Sequence, residues 1–144
     1  MNMIRVFLVL NILFLTLSLA STTSAAAPAE IVLSLNTQEQ SINTVSGEVI
    51  IPSYLEPVSI LDGNSVIKFW IEPPHFLDRR IIFSGIIPGG YTGGEARLFR
   101  FSVLGGEPTA ADFKIANLVL LLNDGRGTSV ENPRSLIKIS ISQT

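Results

Sequence analysis

No cysteine occurs among the 144 residues, and histidine and tryptophan occur once each. The missing thiols exclude disulfides, thiolate nucleophiles and Cys-ligated zinc, so the fold must rest on its apolar core. The single histidine, His75, lies in Pro73-Pro-His-Phe76, and no Gly-x-Ser-x-Gly elbow is present. A Ser-His-Asp site therefore has no recognisable partners. Cations are also few, 10 Lys and Arg against 12 Asp and Glu, and they form no basic stripe. Nucleic-acid binding is excluded on that ground.

What is abundant is apolar surface, 47% of the chain, enough for the core of one domain. Part of it is concentrated at the start. Arg5 precedes a mostly apolar run from Val6 to Ala20, and Ser21-Thr-Thr-Ser-Ala-Ala-Ala-Pro28 then supplies small residues. This order predicts a secretory signal over residues 1–27, cut near Ala25 to Ala27, and a location outside the cell or at its surface. The run is shorter than the roughly 20 residues of a bilayer span, so membrane attachment would come only through an uncleaved signal. Removing it takes away Arg5 and leaves nine cations against 12 anions, a net charge of −3.

From residue 28 to 144 the hydrophobic period is two. Ile137, Ile139 and Ile141 alternate with Lys138, Ser140 and Ser142, and Phe99, Phe101 and Val103 alternate with Arg100 and Ser102. Each pattern predicts a half-buried strand. Val45, Gly47, Val49 and Ile51 give a third stripe, Ile31, Leu33 and Leu35 a fourth, and Ile67, Phe69 and Ile71 a fifth. Arg80 to Ile86 and Leu118 to Leu122 are more continuously apolar. Turn signals separate them: Asp62-Gly-Asn, Glu72-Pro-Pro-His, Pro88-Gly-Gly, Gly93-Gly, Gly105-Gly-Glu-Pro and Asn123-Asp-Gly. The chain therefore reads as an all-β sandwich, with one helical turn near Thr109 to Phe113.

The stretch Val45-Ser-Gly-Glu-Val-Ile-Ile-Pro-Ser-Tyr-Leu-Glu-Pro-Val-Ser-Ile60 is followed by Gly85-Ile-Ile-Pro-Gly-Gly-Tyr-Thr-Gly-Gly-Glu95 and Asn123-Asp-Gly-Arg-Gly-Thr128. In order and spacing this resembles a cohesin-type domain over about residues 31 to 142. The resemblance implies a jelly-roll β-sandwich of eight to nine short antiparallel strands, related to carbohydrate-binding modules. It implies a partner too: a dockerin-bearing or other extracellular protein held on one sheet face, with calcium bound by the dockerin. No cofactor is implied. Cohesins usually open with an additional strand, and since only Pro28-Ala-Glu30 precedes Ile31 here, either an edge strand is missing or the first strand is very short. A missing edge strand would leave backbone groups able to accept a strand from another chain. The chain also ends within two or three residues of its last expected strand, which predicts no C-terminal anchor.

If Ile67, Phe69 and Ile71 face inward, Lys68, Trp70 and Glu72 face outward. An exposed indole there would stack on a sugar ring or anchor a protein; the competing expectation is that Trp70 packs under Pro73-Pro74. Tyr91 and Arg100 complete the candidate binding residues, with Tyr54 a further loop aromatic. Aromatics amount to only 8% of the chain, which favours protein docking over polysaccharide binding. Glu72 with Asp78, or Glu48 with Glu95, could pair as glycosidase carboxylates, but 12 acidic residues make such pairs inevitable by chance. Gly89-Gly-Tyr-Thr-Gly-Gly94 lacks the following helix of a phosphate loop and reads as a strand connection. Asp112, Asn123 and Asp124 are the weak candidates for a metal, since Asn123 to Thr128 lacks the acidic alternation of an EF-hand. The expected function is non-catalytic binding outside the cell.

Overall fold

The computed structural model describes residues 27–143. The expected signal segment lies, apart from Ala27, outside the described residues. Eight strands form: β1 Ala29–Asn36, β2 Ile42–Ile50, β3 Glu56–Leu61, β4 Phe69–Leu77, β5 Arg80–Tyr91, β6 Glu95–Leu104, β7 Lys114–Leu122 and β8 Ile137–Gln143. A single 3₁₀ turn at Ala110–Asp112, where the helical turn was expected, precedes β7, and another at Pro133–Leu136 precedes β8.

The strands make two antiparallel sheets, ordered β3-β6-β1-β8 and β4-β5-β2-β7. Of β1 to β7, each except β4 leads into a strand of the opposite sheet. The first strand pairs with the last, the second with the seventh, the third with the sixth and the fourth with the fifth. Four nested pairs wrapped around one core are the jelly-roll arrangement. β1 is paired on both sides, by β6 and β8, so the open edge expected at the first strand falls instead on β8.

Alternation places the core where the period-two pattern puts it. Ile31, Leu33, Leu35, Phe99, Phe101, Val103, Ile137 and Ile139 from one sheet meet Val45, Val49, Ile81, Phe83 and Leu120 from the other. Phe83 meets Phe99 edge-on across the sheets with ring centroids 5.0 Å apart, and Phe113 closes one end against Phe101 at 5.6 Å. Such aromatic pairs stabilise by about 0.5–1.5 kcal/mol beyond their area.

The expected stripe of Ile67, Phe69 and Ile71 is broken. Ile67 is buried, but it precedes the strand, and Phe69 and Ile71 are turned to solvent while Trp70 packs on the core. Parity cannot be carried from the loop into β4, because β4 takes its register from β5, with Trp70 opposite Gly85. Glu72-Pro-Pro-His is no turn either. Pro73 and Pro74 lie within β4, an edge strand whose register shifts twice around them, and an edge is where a sheet tolerates missing amide donors. Pro88-Gly89-Gly90 likewise lies within β5, as a bulge in which both glycines take positive φ, and the turn itself is only residues 92–94.

Gly85 explains the local packing. A methyl group there would lie 2.4 Å from Ile67 Cγ2 and 3.1 Å from Trp70 Cε3, so the absent side chain is the space these two occupy. Gly85→Ala is expected to cost about 1–3 kcal/mol through overpacking, measured by urea denaturation. An unchanged midpoint would mean that Ile67 and Trp70 are not seated on the glycine.

Candidate functional site

The outer face of β4-β5-β2-β7 is built of rows that run across all four strands. Phe69, Ile86, Thr44 and Leu121 form one row; Glu72, Ser84, Ser46 and Val119 the next; His75, Ile82, Glu48 and Ala116 a third; Leu77, Arg80, Ile50 and Lys114 the last. Phe69 and Ile71 are 64% and 66% exposed, and Leu77, Val119 and Ile50 are also open to solvent. These side chains stand around the rim of the face, Phe69, Ile71 and Leu77 on β4, Ile50 on β2 and Val119 on β7.

The middle of the face is polar and ordered. Glu48 accepts a hydrogen bond from Asn117 Nδ2 at 2.8 Å and an ion-paired one from Arg80 at 3.0 Å. Asn117 reaches it because β7 bulges opposite Ser46 and Glu48, placing Asn117 at φ 50°. These bonds, the Asn117 amide first and the Arg80 guanidinium second, hold the Glu48 carboxyl below its ordinary range. Glu72 and His75 stand beside this cluster, 3.8 Å apart. Glu48, Glu72, Ile82 and Asn117 line a shallow depression of about 190 Å³ at the centre. The surface is a polar centre with an apolar surround, suited to a broad partner more than to a buried small molecule.

The expected binding residues are dispersed. Glu72 lies on this face, whereas Trp70 is turned inward over Gly85, the reverse of the exposed indole. Lys68 just precedes β4 and donates to the Ser65 carbonyl at 3.1 Å. Tyr91, at the end of β5, donates to the Gly94 carbonyl at 3.2 Å and closes its own turn. Arg100 is on the opposite sheet, where it pairs with Glu30 at 3.2 Å. Glu48 and Arg100 therefore belong to opposite faces. The residues missed were Phe69, Ile71, Leu77, Ile50 and Val119, and the one sequence signal for the first two was Pro73-Pro74, which marks β4 as irregular.

The remaining candidates serve their own loops. His75 is on β4, not in a loop. Asp112 accepts from the Thr109 amide at 2.7 Å and hydroxyl at 2.9 Å, closing the turn before β7. Asp124 accepts from the Arg126 amide at 2.9 Å, and from the Thr128 hydroxyl, across the Asn123 to Thr128 turn. Asn123 donates to the Gly89 carbonyl at 2.8 Å, and a side chain on Gly90 would meet it at 2.8 Å. Among the described residues no three acidic, His or Cys side chains gather as a metal set. Opposite pairs such as Glu48 and Glu95 are likewise separated, Glu95 being bound to Lys138 at 2.7 Å on the other sheet.

Because Glu48 titrates below its ordinary 4.5, its contribution is complete above that value and is lost as pH falls through the lowered folded pKa. Carbon-detected NMR titration of Glu48 should give a midpoint under 4.5, moving upward in Asn117→Ala. If the midpoint did not move, the Asn117 bond would not be its main cause. No family model, curated protein or solved structure matches the chain.

Proposed function

We propose that the chain is an exported, non-catalytic binding module of cohesin-like type that docks a protein partner through the outer face of β4-β5-β2-β7. One observation carries the reading: the two sheets present unlike surfaces. On β3-β6-β1-β8 the middle of the outer face is closed by the Glu30–Arg100 ion pair and by the Ser59 and Ser102 hydroxyls 2.6 Å apart, with exposed Val58, Leu61 and Leu104 kept to one edge and one end. Its central charges are paired within the chain, although Arg100 Nε is buried without a partner among the described residues. On β4-β5-β2-β7 Phe69, Ile71, Leu77, Ile50 and Val119 surround a small charged centre, the composition of a protein-docking patch.

A dockerin-type extracellular protein is the partner the cohesin resemblance suggests. Polysaccharide binding is the alternative, and it loses weight because Trp70 packs inward and Tyr91 is tied to its turn, leaving Phe69 as the aromatic on this face. A stacking platform needs several aligned rings.

The test is capture from the extracellular and envelope fraction on the immobilised full chain, with calcium and with a chelator. The expected result is a protein retained with calcium and lost when Phe69 and Ile71 are both changed to Ser. Those two changes should leave folding stability within about 0.5 kcal/mol, since both side chains are exposed, whereas Trp70→Ala should lower it by about 2–4 kcal/mol. Retention unaffected by the double change would sink the face, and release by soluble oligosaccharide would replace the protein reading with the glycan one.

A further inference from the structure

Three of the four sheet edges are guarded against another strand. β4 carries Pro73, Pro74 and two register shifts. β3 carries Pro57 and a register shift beside it. β7 is covered at its Leu120–Leu122 end by residues 128–130, through Leu122 N–H to Thr128 O at 2.8 Å and Val130 N–H to Leu120 O at 2.9 Å, and its register against β2 shifts twice. Proline, bulges and covering segments are the ordinary means of keeping an edge from pairing.

β8 has none of these along Ile137–Gln143, and its ladder with β1 runs without a register shift. The direction of its backbone groups follows from Ile137. The Ile137 amide bonds to Arg134 O, and its carbonyl accepts from the Arg134 guanidinium at 2.6 Å, so both groups point away from β1. Backbone groups alternate along a strand, so those of Ile139 and Ile141 point away from β1 as well. Among the described residues neither has a bonding partner on that side. A groove of about 460 Å³ lies against this edge, walled by Ala110 and Ala111 and bordered by Asn36, Gln38, Arg134 and Lys138. Arg134 and Lys138 line it, and since Lys138 is already paired with Glu95 at 2.7 Å, Arg134 is the cation there that no carboxylate among the described residues matches.

We infer that the outer edge of β8 is a strand-acceptor site, separate from the docking face of the other sheet, and that it takes an extended acidic segment of a protein partner. The outward amides and carbonyls of Ile139 and Ile141 supply main-chain pairing, the small Ala110 and Ala111 leave room for alternate side chains, and the Arg134 charge selects carboxylates. A second copy of β8 fits less well, because it would bring a further Arg134 and no free anion, Glu95 being held by Lys138.

The probe is a synthetic seven-residue peptide alternating valine and threonine between terminal glutamates, titrated into the isotope-labelled full chain. The expected result is saturable binding below about 1 mM, with amide shifts and exchange protection at Ile139 and Ile141. N-methylation of the peptide amides on one edge should weaken it at least about tenfold, while methylation on the other edge should not. A lysine-flanked peptide should bind more weakly at low salt. Equal binding of both methylated peptides, shifts confined to the β4-β5-β2-β7 face, tighter binding of the lysine peptide, or no saturation would each overturn the site. Concentration-dependent protection of Ile139 and Ile141 without peptide would overturn the acidic partner in favour of a second copy.

Discussion

The seating of Ile67 and Trp70 on Gly85 is the contact on which the functional face depends. With no side chain at Gly85, Ile67 just before β4 and Trp70 within it approach the β5 backbone at a distance any methyl group would prevent. Trp70 then occupies the inward position opposite Gly85, and strand alternation turns Phe69 outward. The exposed phenyl ring is thus a consequence of the inward, partly buried indole. Ile71 falls where the register shifts between Trp70 and Glu72, and it too is left in solvent. A packing requirement inside the sandwich writes the apolar surface outside it.

The two outer faces differ because their charges are satisfied differently. Glu30 with Arg100 and Glu95 with Lys138 match anion to cation on β3-β6-β1-β8, in solvent, where such pairs contribute at most about 1 kcal/mol each. On the other sheet Glu48 gathers both Arg80 and Asn117, and is the least exposed of the paired carboxylates. A group already held in place loses less freedom when a partner covers it. Hydrogen-bonded polar atoms at the centre and exposed apolar side chains around them would divide orientation from affinity on the proposed docking surface.

Much of the architecture was legible because period-two alternation is a local property. Ile31 to Leu35, Val45 to Ile51 and Phe99 to Val103 are regular over several residues, and each buries the side predicted. The face of β4 was not legible, since a parity counted from Ile67 assumes that the strand has already begun there. The β4–β5 hairpin was hidden for another reason. Its turn is Asp78-Arg79, both at positive φ, a conformation usually signalled by Asn-Gly or Asp-Gly. Arg79 is held in it by contacts distant in sequence, its guanidinium on the Pro52 and Leu55 carbonyls and its own carbonyl on the Ile51 amide. Lys68, Trp70, Glu72, Tyr91 and Arg100 could be picked out by type, but which sheet or turn each serves is set by the nested pairing and by bulges that no short window contains.

The irregularity of β4 and the regularity of β8 have opposite consequences. Pro73, Pro74 and the shifts beside them leave β4 unable to extend its sheet, so a partner on that side must lie across the face and read side chains. β8 keeps an unbroken ladder with β1, so its free side offers backbone groups in regular spacing, which any extended chain can match. Selectivity at β8 would then come from its border, where Arg134 lines the groove and Lys138 is already held by Glu95. The jelly-roll winding separates these two modes of recognition, since β4 and β8 stand at opposite ends of opposite sheets.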